Sequence, residues 1–456
     1  MRDSSKQSVL FPSLLSKPFE VHFDAPDTTS DGGAVLVKAV DDKLGLTESM
    51  TSCLHDDRQP GKVVHSFEDM FRQRVYGLAC GYADVNDVAR IGRDPLHKSL
   101  LGRNAITDAD LASQPTLSRF ENTLSRKDLY RMSQALCETV LDRHQKRLRK
   151  VKRVTIDMDP TDDATHGQQE LAFFNGHYSN WCYLPMLSFV TFNAESEQYL
   201  VSAVLRPGVA SAREGAIGIL SRLIAAVRDR FPHARIRVRL DGGFAGPEMF
   251  EYLETEEVEY LVAMAQNSVL KRRAGRDMGH ARRLSRESGK SKAVFGETRY
   301  AALSWKKNKR RLIYKAEVVR LEDRDPRDNC RFVVTNLPYT PRNVYKVYRQ
   351  RGDSENRIKE AKNSLYIDRT SCSRFWANQL RVLMSAAAFV LFQEIRLKLK
   401  RTSLAGAQVE TIRLKLLKIG GRLKTTVRRR MLHLSEHHPW IKEWIQVARQ
   451  YGAVPI

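Results

Sequence analysis

The chain has 456 residues, 42% of them hydrophobic, enough for two or three domains with a substantial core and too many for a disordered protein. Lys and Arg number 76 against 53 Asp and Glu, and the net charge of +23 calls for a polyanion as partner. The most apolar run, 380–392, is too short to span a bilayer, no signal-peptide core is evident, and six scattered cysteines without a CxxC pair fit a reducing cytoplasm.

Residues 1–20 carry little pattern, and 21–23 read as a short strand. Ser30 and Asp31 precede a helix-like run through Leu36, Val37, Val40 and Leu44. Ser66 with Asp69, and Ser125 with Asp128, have capping-box spacing and open two further helices. Phe67, Met70, Phe71, Val75 and Leu78 share one face of the first; Leu129, Met132, Leu136 and Val140 share one face of the second. After the basic run 146–153 the period changes. Strands are predicted over 154–159, 184–192 and 199–205, then a helix over 212–230 and a strand over 236–240 that ends at Asp241. A short helix over 247–255 leads to a strand over 260–264. This order is that of a ribonuclease-H-like mixed sheet, an α/β fold with helices on its faces.

The pattern then breaks. Over 271–292 lie nine Lys or Arg and two acids, interleaved with Gly275, Gly279 and Gly289, and strand-like runs follow at 300–305, 311–319 and 331–335. The segment reads as a β-rich basic insertion. Helices over 375–399 and 409–419, and one carrying Ile441, Trp444 and Ile445, close the chain. The expected domains are a mainly helical 1–150, a sheet domain of 151–264 with 342–370, the insertion 265–341, and a helical basic region 371–456.

Tyr348, Arg351, Glu355 and Lys362 fall on the helix predicted to start near Val344. Their offsets of 0, 3, 7 and 14 place them within roughly a 60° arc at 100° per residue. A carboxylate, two cations and a phenol on one side suit a grip on a phosphodiester beside a metal ion; the plain alternative is a solvated face laced with ion pairs. Asp157 and Asp159, two apart on a strand, leave the same face, while Val154, Ile156 and Met158 can pack behind them. Asp241 ends another strand before Gly242 and Gly243, which allow close approach. Carboxylates from three elements can hold two hard divalent cations, Mg²⁺ foremost with Mn²⁺ as a substitute. Such a pair, about 3.5–4 Å apart, activates a water or 3′-hydroxyl and stabilises the leaving oxygen, so no nucleophilic side chain is required.

The spacing Tyr348, Arg351, Glu355, Lys362 reproduces the Y-x2-R-x3-E-x6-K motif, and the chain resembles bacterial insertion-sequence DDE transposases, most of all the group named thirteen-eighty. The stretches 156–169 and 239–245 resemble the family's first and second Asp motifs, and 30–37, 113–122 and 332–338 also look familial. The resemblance covers about residues 20–435. It implies that Asp241 and Glu355 are the second and third metal ligands. Asp159, followed by Pro160 and Thr161, matches the first better than Asp157 does, although a proline in that spacer leaves the choice open. It further implies that Tyr348, Arg351 and Lys362 contact DNA phosphates, that terminal inverted repeats are bound, cut and joined to target DNA, and that a dimer forms on DNA in the cytoplasm. The helical 1–150 would then be the region that binds DNA ends.

Clustered cations, among them Lys271, Arg272 and Arg273, would add sequence-independent affinity for DNA or else simply face solvent. Trp305, beside Lys306, Lys307 and Lys309, either stacks on a base flipped out during cleavage or packs in its own hairpin. Two other functions share these features: a structure-selective nuclease that cuts without joining, and a transposase-derived DNA-binding protein without activity.

Overall fold

The computed structural model describes residues 8–105, 107–305 and 308–455. Two compact units make up the chain. One comprises Met1–Thr47, His55–Glu121 and Leu391–Ile456; the other comprises Glu48–Leu54 and Asn122–Val390.

In the first unit the two ends of the chain fold together. Thr28–Thr29 adds a strand to the hairpin Gly421–Thr425/Arg430–Leu434, and the Gly32 N–H donates to the Ile419 carbonyl at 2.8 Å. A Cβ at Gly33 would overlap the Leu416 carbonyl, so the approach needs glycine there. The helices Ala34–Leu44 and Phe67–Ala79 bury Leu36, Val37, Val40, Phe71 and Val75. Ser66 caps the second, accepting the Asp69 N–H at 3.0 Å. Buried charges are paired: Arg74 with Glu121 at 3.0 Å, and Asp31 with both His97 at 2.9 Å and Lys418 at 2.7 Å. The strand expected at 21–23 forms at Phe19–Val21, paired with Val9–Phe11. The helix expected over 409–419 is Val409–Ile412 followed by a π-type turn, Arg413–Leu417.

The second unit is mixed α/β, built on an eight-stranded sheet. From edge to edge its strands are Lys292–Tyr300, Arg310–Leu321, Arg324–Thr335, Glu259–Met264, Arg235–Leu240, Arg153–Pro160, Met186–Phe192 and Tyr199–Val204. Arg235–Leu240 pairs in parallel with both its neighbours, and the remaining pairs are antiparallel. Arg153–Pro160 is covered on both faces, with Val154, Ile156 and Met158 fully buried on one side. The helix Ala216–Arg230 buries Ile219, Leu220, Leu223, Ile224 and Val227. Arg126–Arg147 opens with a complete capping box: the Ser125 N–H donates to Asp128 Oδ2 at 2.9 Å, and the Asp128 N–H to Ser125 Oγ at 3.3 Å.

Two local expectations are corrected. The glycine-interleaved stretch 271–292 is largely helical, as Ser268–Arg273 and Gly275–Ser288, and the strands after it continue the main sheet. Met278, Ala281 and Ser285 give the longer helix a buried face at helical spacing, while Gly275 and Gly279 face open space. The helix expected to carry Tyr348 to Lys362 is two helices, Pro341–Arg349 and Gly352–Leu365. Between them the backbone tightens into i to i+3 bonds, Arg351 N–H to the Tyr348 carbonyl and Ser354 N–H to the Arg351 carbonyl, both at 2.9 Å. Among the described residues no helix is long and apolar enough to cross a membrane.

Candidate functional site

Two of the expected carboxylates lie at or just past the ends of neighbouring parallel strands, Asp159 in Arg153–Pro160 and Asp241 after Arg235–Leu240. Arg239 lies directly across from Asp157, where the pairing ends, and Asp241, just past the end of its strand, is near enough for its charge to act on Asp159. Asp241 caps the short turn Gly242–Phe244, its Oδ1 accepting the Gly243 N–H at 2.9 Å. A Cβ at Gly243 would sit 2.9 Å from the Ala212 Cβ and 3.2 Å from Asp241 Oδ1, so glycine keeps the carboxylate seated.

Glu355 arrives from the first turn of Gly352–Leu365, and Arg351 ties it to the sheet. The guanidinium spans Asp159 Oδ2 at 2.8 Å and Glu355 Oε1 at 2.7 Å. Burial pushes the Asp159 carboxyl up to about 7, opposed by Arg351 and reinforced by Asp241 and Glu355. Burial also works against the Arg351 charge, but Asp159, Tyr348, Glu355 and Asp241 raise its pKa above the ordinary value. Arg351 thus joins Asp159 to Glu355, while Asp241 acts on Asp159 and Arg351 through its charge alone; the three acids do not bring ligand atoms within 4.8 Å of one another.

Asp157 is placed differently. It is fully buried and held as a fork by Arg239, Nε at 2.7 Å and NH2 at 2.6 Å, with Gln198 Nε2 donating at 3.1 Å. Arg239 in turn reaches the Val347 carbonyl at 3.0 Å, at the end of the helix that carries Tyr348. Asp157 therefore positions neighbouring elements and offers no open oxygen to a ligand. The signal was present in the sequence: Arg235, Arg237 and Arg239 alternate with Ile236, Val238 and Leu240 on one strand.

Lys362 Nζ donates to the Asp162 carbonyl at 2.8 Å and Asp162 Oδ1 at 3.0 Å, so it grips the turn that follows Asp159. Asp368 Oδ2 lies 3.5 Å from the same ammonium. Tyr348 is packed beside Tyr345, and burial raises its phenol, with Arg351 opposing. Lys271, Arg272 and Arg273 lie exposed on one short helix, with Arg273 over the Tyr300 ring at 5.5 Å. Trp305 is 8% exposed and packs against Phe250 and Tyr300, with centroids at 5.3 and 6.3 Å, which leaves no open ring face for a base here. Lys306 and Lys307 lie outside the described residues.

Asp159, Asp241 and Glu355 suit a hard cation by their chemistry: all are oxygen donors, from three elements, and Asp159 and Glu355 already bind a guanidinium. A different set, Asp31, Cys80 and His97, gathers its ligand atoms within 4.8 Å in the first unit. That set was not expected from the sequence, in which its members lie far apart. Its Asp31 oxygens already accept from His97 and Lys418, so an ion pair fills the place of a metal.

The sequence from 11 to 452 matches the family described as transposase DDE domain group 1, and the chain belongs to that family of DDE transposases, enzymes that generally use divalent metal ions. No match was found among curated proteins. Among solved structures the chain is similar to the Mos1 transposase in its paired-end complex with left transposon end. Identity is 16%, the match covers 45% of this chain and 61% of that one, and the TM-score is 0.17, too loose a likeness to support an argument.

Proposed function

We propose that this protein, as a transposase resembling the thirteen-eighty group, binds the terminal inverted repeats of an insertion sequence, cuts the DNA ends and joins them to target DNA. The observation that supports the reading is the Arg351 bridge between Asp159 and Glu355, with the charge of Asp241 acting on both Asp159 and Arg351, on a large mixed sheet of ribonuclease-H-like order. Asp159, Asp241 and Glu355 would hold two Mg²⁺ ions, which supply activation of the attacking oxygen and stabilisation of the leaving one.

The side chains do the rest. Arg351 holds two of the acids together against their repulsion and presents a planar fork suited to a phosphate oxygen. Lys362 fixes the turn after Asp159 and adds a point charge behind the strand of DNA. Tyr348 packs beside Arg351 and limits its rotation. Lys271, Arg272 and Arg273 neutralise phosphates farther along the duplex, consistent with the net charge of +23. A dimer on DNA accounts for handling two ends at once.

The test is cleavage of a duplex bearing the end sequence that flanks the gene, followed by joining to plasmid. Asp241→Asn and Glu355→Gln should each abolish cutting yet bind the duplex within a few-fold of the parent. Either variant cutting at the parent rate with Mg²⁺ contradicts the assignment, and cutting without joined products makes the protein a nuclease only.

A further inference from the structure

The strands Arg153–Pro160 and Arg235–Leu240 run parallel with Arg153 directly across from Arg235, so both start at one rim of the sheet and head toward the carboxylates. Three loops meet at the starting rim: 148–152 and 231–234, which enter the two strands, and 193–198, which joins Met186–Phe192 to Tyr199–Val204. They form an open bowl of about 930 Å³. Arg149, Lys150, Lys152, Arg153, Arg230 and Arg235 line it, and no Asp or Glu does.

These cations stand on a fastened backbone. Asn193 Oδ1 accepts the Lys152 N–H at 2.8 Å, and Asn193 Nδ2 donates to the Lys150 carbonyl at 3.1 Å. From the other side the Arg235 N–H donates to the Lys152 carbonyl at 3.0 Å. Asn193 makes its contacts with a φ of +55°, a left-handed backbone that asparagine tolerates better than most residues. Beneath, Phe231 packs on Phe192 with centroids 5.3 Å apart. The other amide of the lining, Gln145, donates to the Arg230 carbonyl at 2.8 Å. Both amides are thus turned to the backbone, and charge dominates what the bowl presents.

That charge is poorly balanced. Exposed arginines elsewhere in this unit meet acids, as Arg228 meets Glu256 and Arg282 meets Asp328. In the bowl Arg230 pairs with Asp142, and Arg235 comes no nearer to Glu259 than 3.9 Å. Among the described residues Arg149, Lys150, Lys152 and Arg153 make no ion pair. Like charges held together repel, and a concave surface of one sign focuses their field outward. A row of phosphates relieves the repulsion and releases the counterions of the nucleic acid.

The place of the bowl says which phosphates. Arg153 precedes Asp159 by six residues, and Arg235 precedes Asp241 by six. At 3.3 Å per residue the bowl lies about 20 Å from the acids, a length that spans about six phosphates of one DNA strand.

We propose that this bowl is a second DNA site, in which Arg149, Lys150, Lys152 and Arg235 grip the phosphates of duplex DNA away from the bond being cut, without regard to sequence. The proposal rests on the functional reading above and says where further DNA is held. The duplex is either a continuation of the DNA end or a separate target, since both offer the same phosphates.

The experiment uses the full chain, with Arg149, Lys150 and Lys152 changed together to Gln; all three are exposed. A labelled duplex of unrelated sequence is added to protein already holding the end duplex, and its anisotropy is followed across KCl concentrations. Ethylation interference on the end duplex is mapped in parallel. For a target duplex, the triple variant should bind the unrelated DNA at least about tenfold more weakly and lower the slope of log affinity against log salt by about 2–3, near 0.9 per lost phosphate contact. For a continuing end, the variant should instead lose interference at phosphates about six or more nucleotides from the cut and keep it at the cut. Lys150→Gln alone should lower the same slope by about 0.9, or remove part of the same interference, and decides the matter if the triple variant melts early. Parent-like affinity, slope and interference together overturn the proposal, as does a loss of interference confined to the cut. Parent-like cutting by Asp241→Asn sinks instead the carboxylate reading beneath it.

Discussion

Asp157 and Asp159 stand two residues apart on one strand, yet the structure gives them opposite consequences on removal. Asp157→Ala leaves the Arg239 guanidinium, 4% exposed, without the carboxylate that balances it through contacts at 2.6 and 2.7 Å. Breaking a buried pair by removing one partner costs about 3–5 kcal/mol. At about 2–4 °C per kcal/mol for a unit of this size, the melting temperature should fall by roughly 6–20 °C. Asp159→Ala removes a desolvated carboxylate that has acidic neighbours, and Arg351 keeps Glu355 at 2.7 Å. Its melting temperature should stay within about 2–4 °C of the parent, an effect near 1 kcal/mol or less. Circular-dichroism melts of the two variants, run beside cleavage assays, decide the point. The expected outcome is an unstable Asp157→Ala and a stable, inactive Asp159→Ala. Equal melting temperatures, or a stable Asp157→Ala that has lost cleavage alone, refute the reasoning.

Other consequences can be measured on the same protein. A Cβ at Gly208 would overlap the Cys182 carbonyl and lie 2.7 Å from the Phe173 carbonyl, so Gly208→Ala should shift the paired strands Phe173–Asn175 and Asn180–Tyr183 and cost about 1–3 kcal/mol in a denaturant melt. Ser125→Ala removes the cap of Arg126–Arg147 and should cost about 1 kcal/mol by the same measurement. Asp163 is fully buried, and burial pushes its carboxyl up to about 8 from 3.8, helped by Asp368 and Asp162 and opposed by Thr370 and Lys362. Its folded pKa is raised, so its share of stability is complete below pH 3.8 and lost as pH rises toward 8, at up to about 1.4 kcal/mol per pH unit. Asp163→Asn should therefore flatten the loss of stability between pH 6 and 8 in parallel melts; an unchanged pH slope argues against a neutral Asp163.

The sheet strands from 154 to 264 could be read from the sequence because β-branched and apolar runs are bounded there by turns, and the structure places them within a few residues of the expected ends. The acids at strand ends were legible for the same reason, since Asp159 and Asp241 interrupt apolar runs. Pairing was not legible. Only the register of Arg239 with Asp157 shows that one acid locks the fold, while its neighbour Asp159 meets Arg351 instead. The helix Gly275–Ser288 was hidden by glycine and charge because its buried face is only Met278, Ala281 and Ser285. The division at Gln350 and Arg351 was equally invisible, since both residues keep helical backbone angles and only the hydrogen bonding tightens.

The central claim is that Asp159, Asp241 and Glu355 together bind divalent cations that drive DNA cutting. Mn²⁺ titrated calorimetrically into the parent protein and into Glu355→Gln, with the end duplex present, tests it most directly. The account predicts saturable binding to the parent and a loss of at least tenfold in affinity for the variant, together with loss of cleavage. Equal Mn²⁺ binding by the two proteins contradicts it.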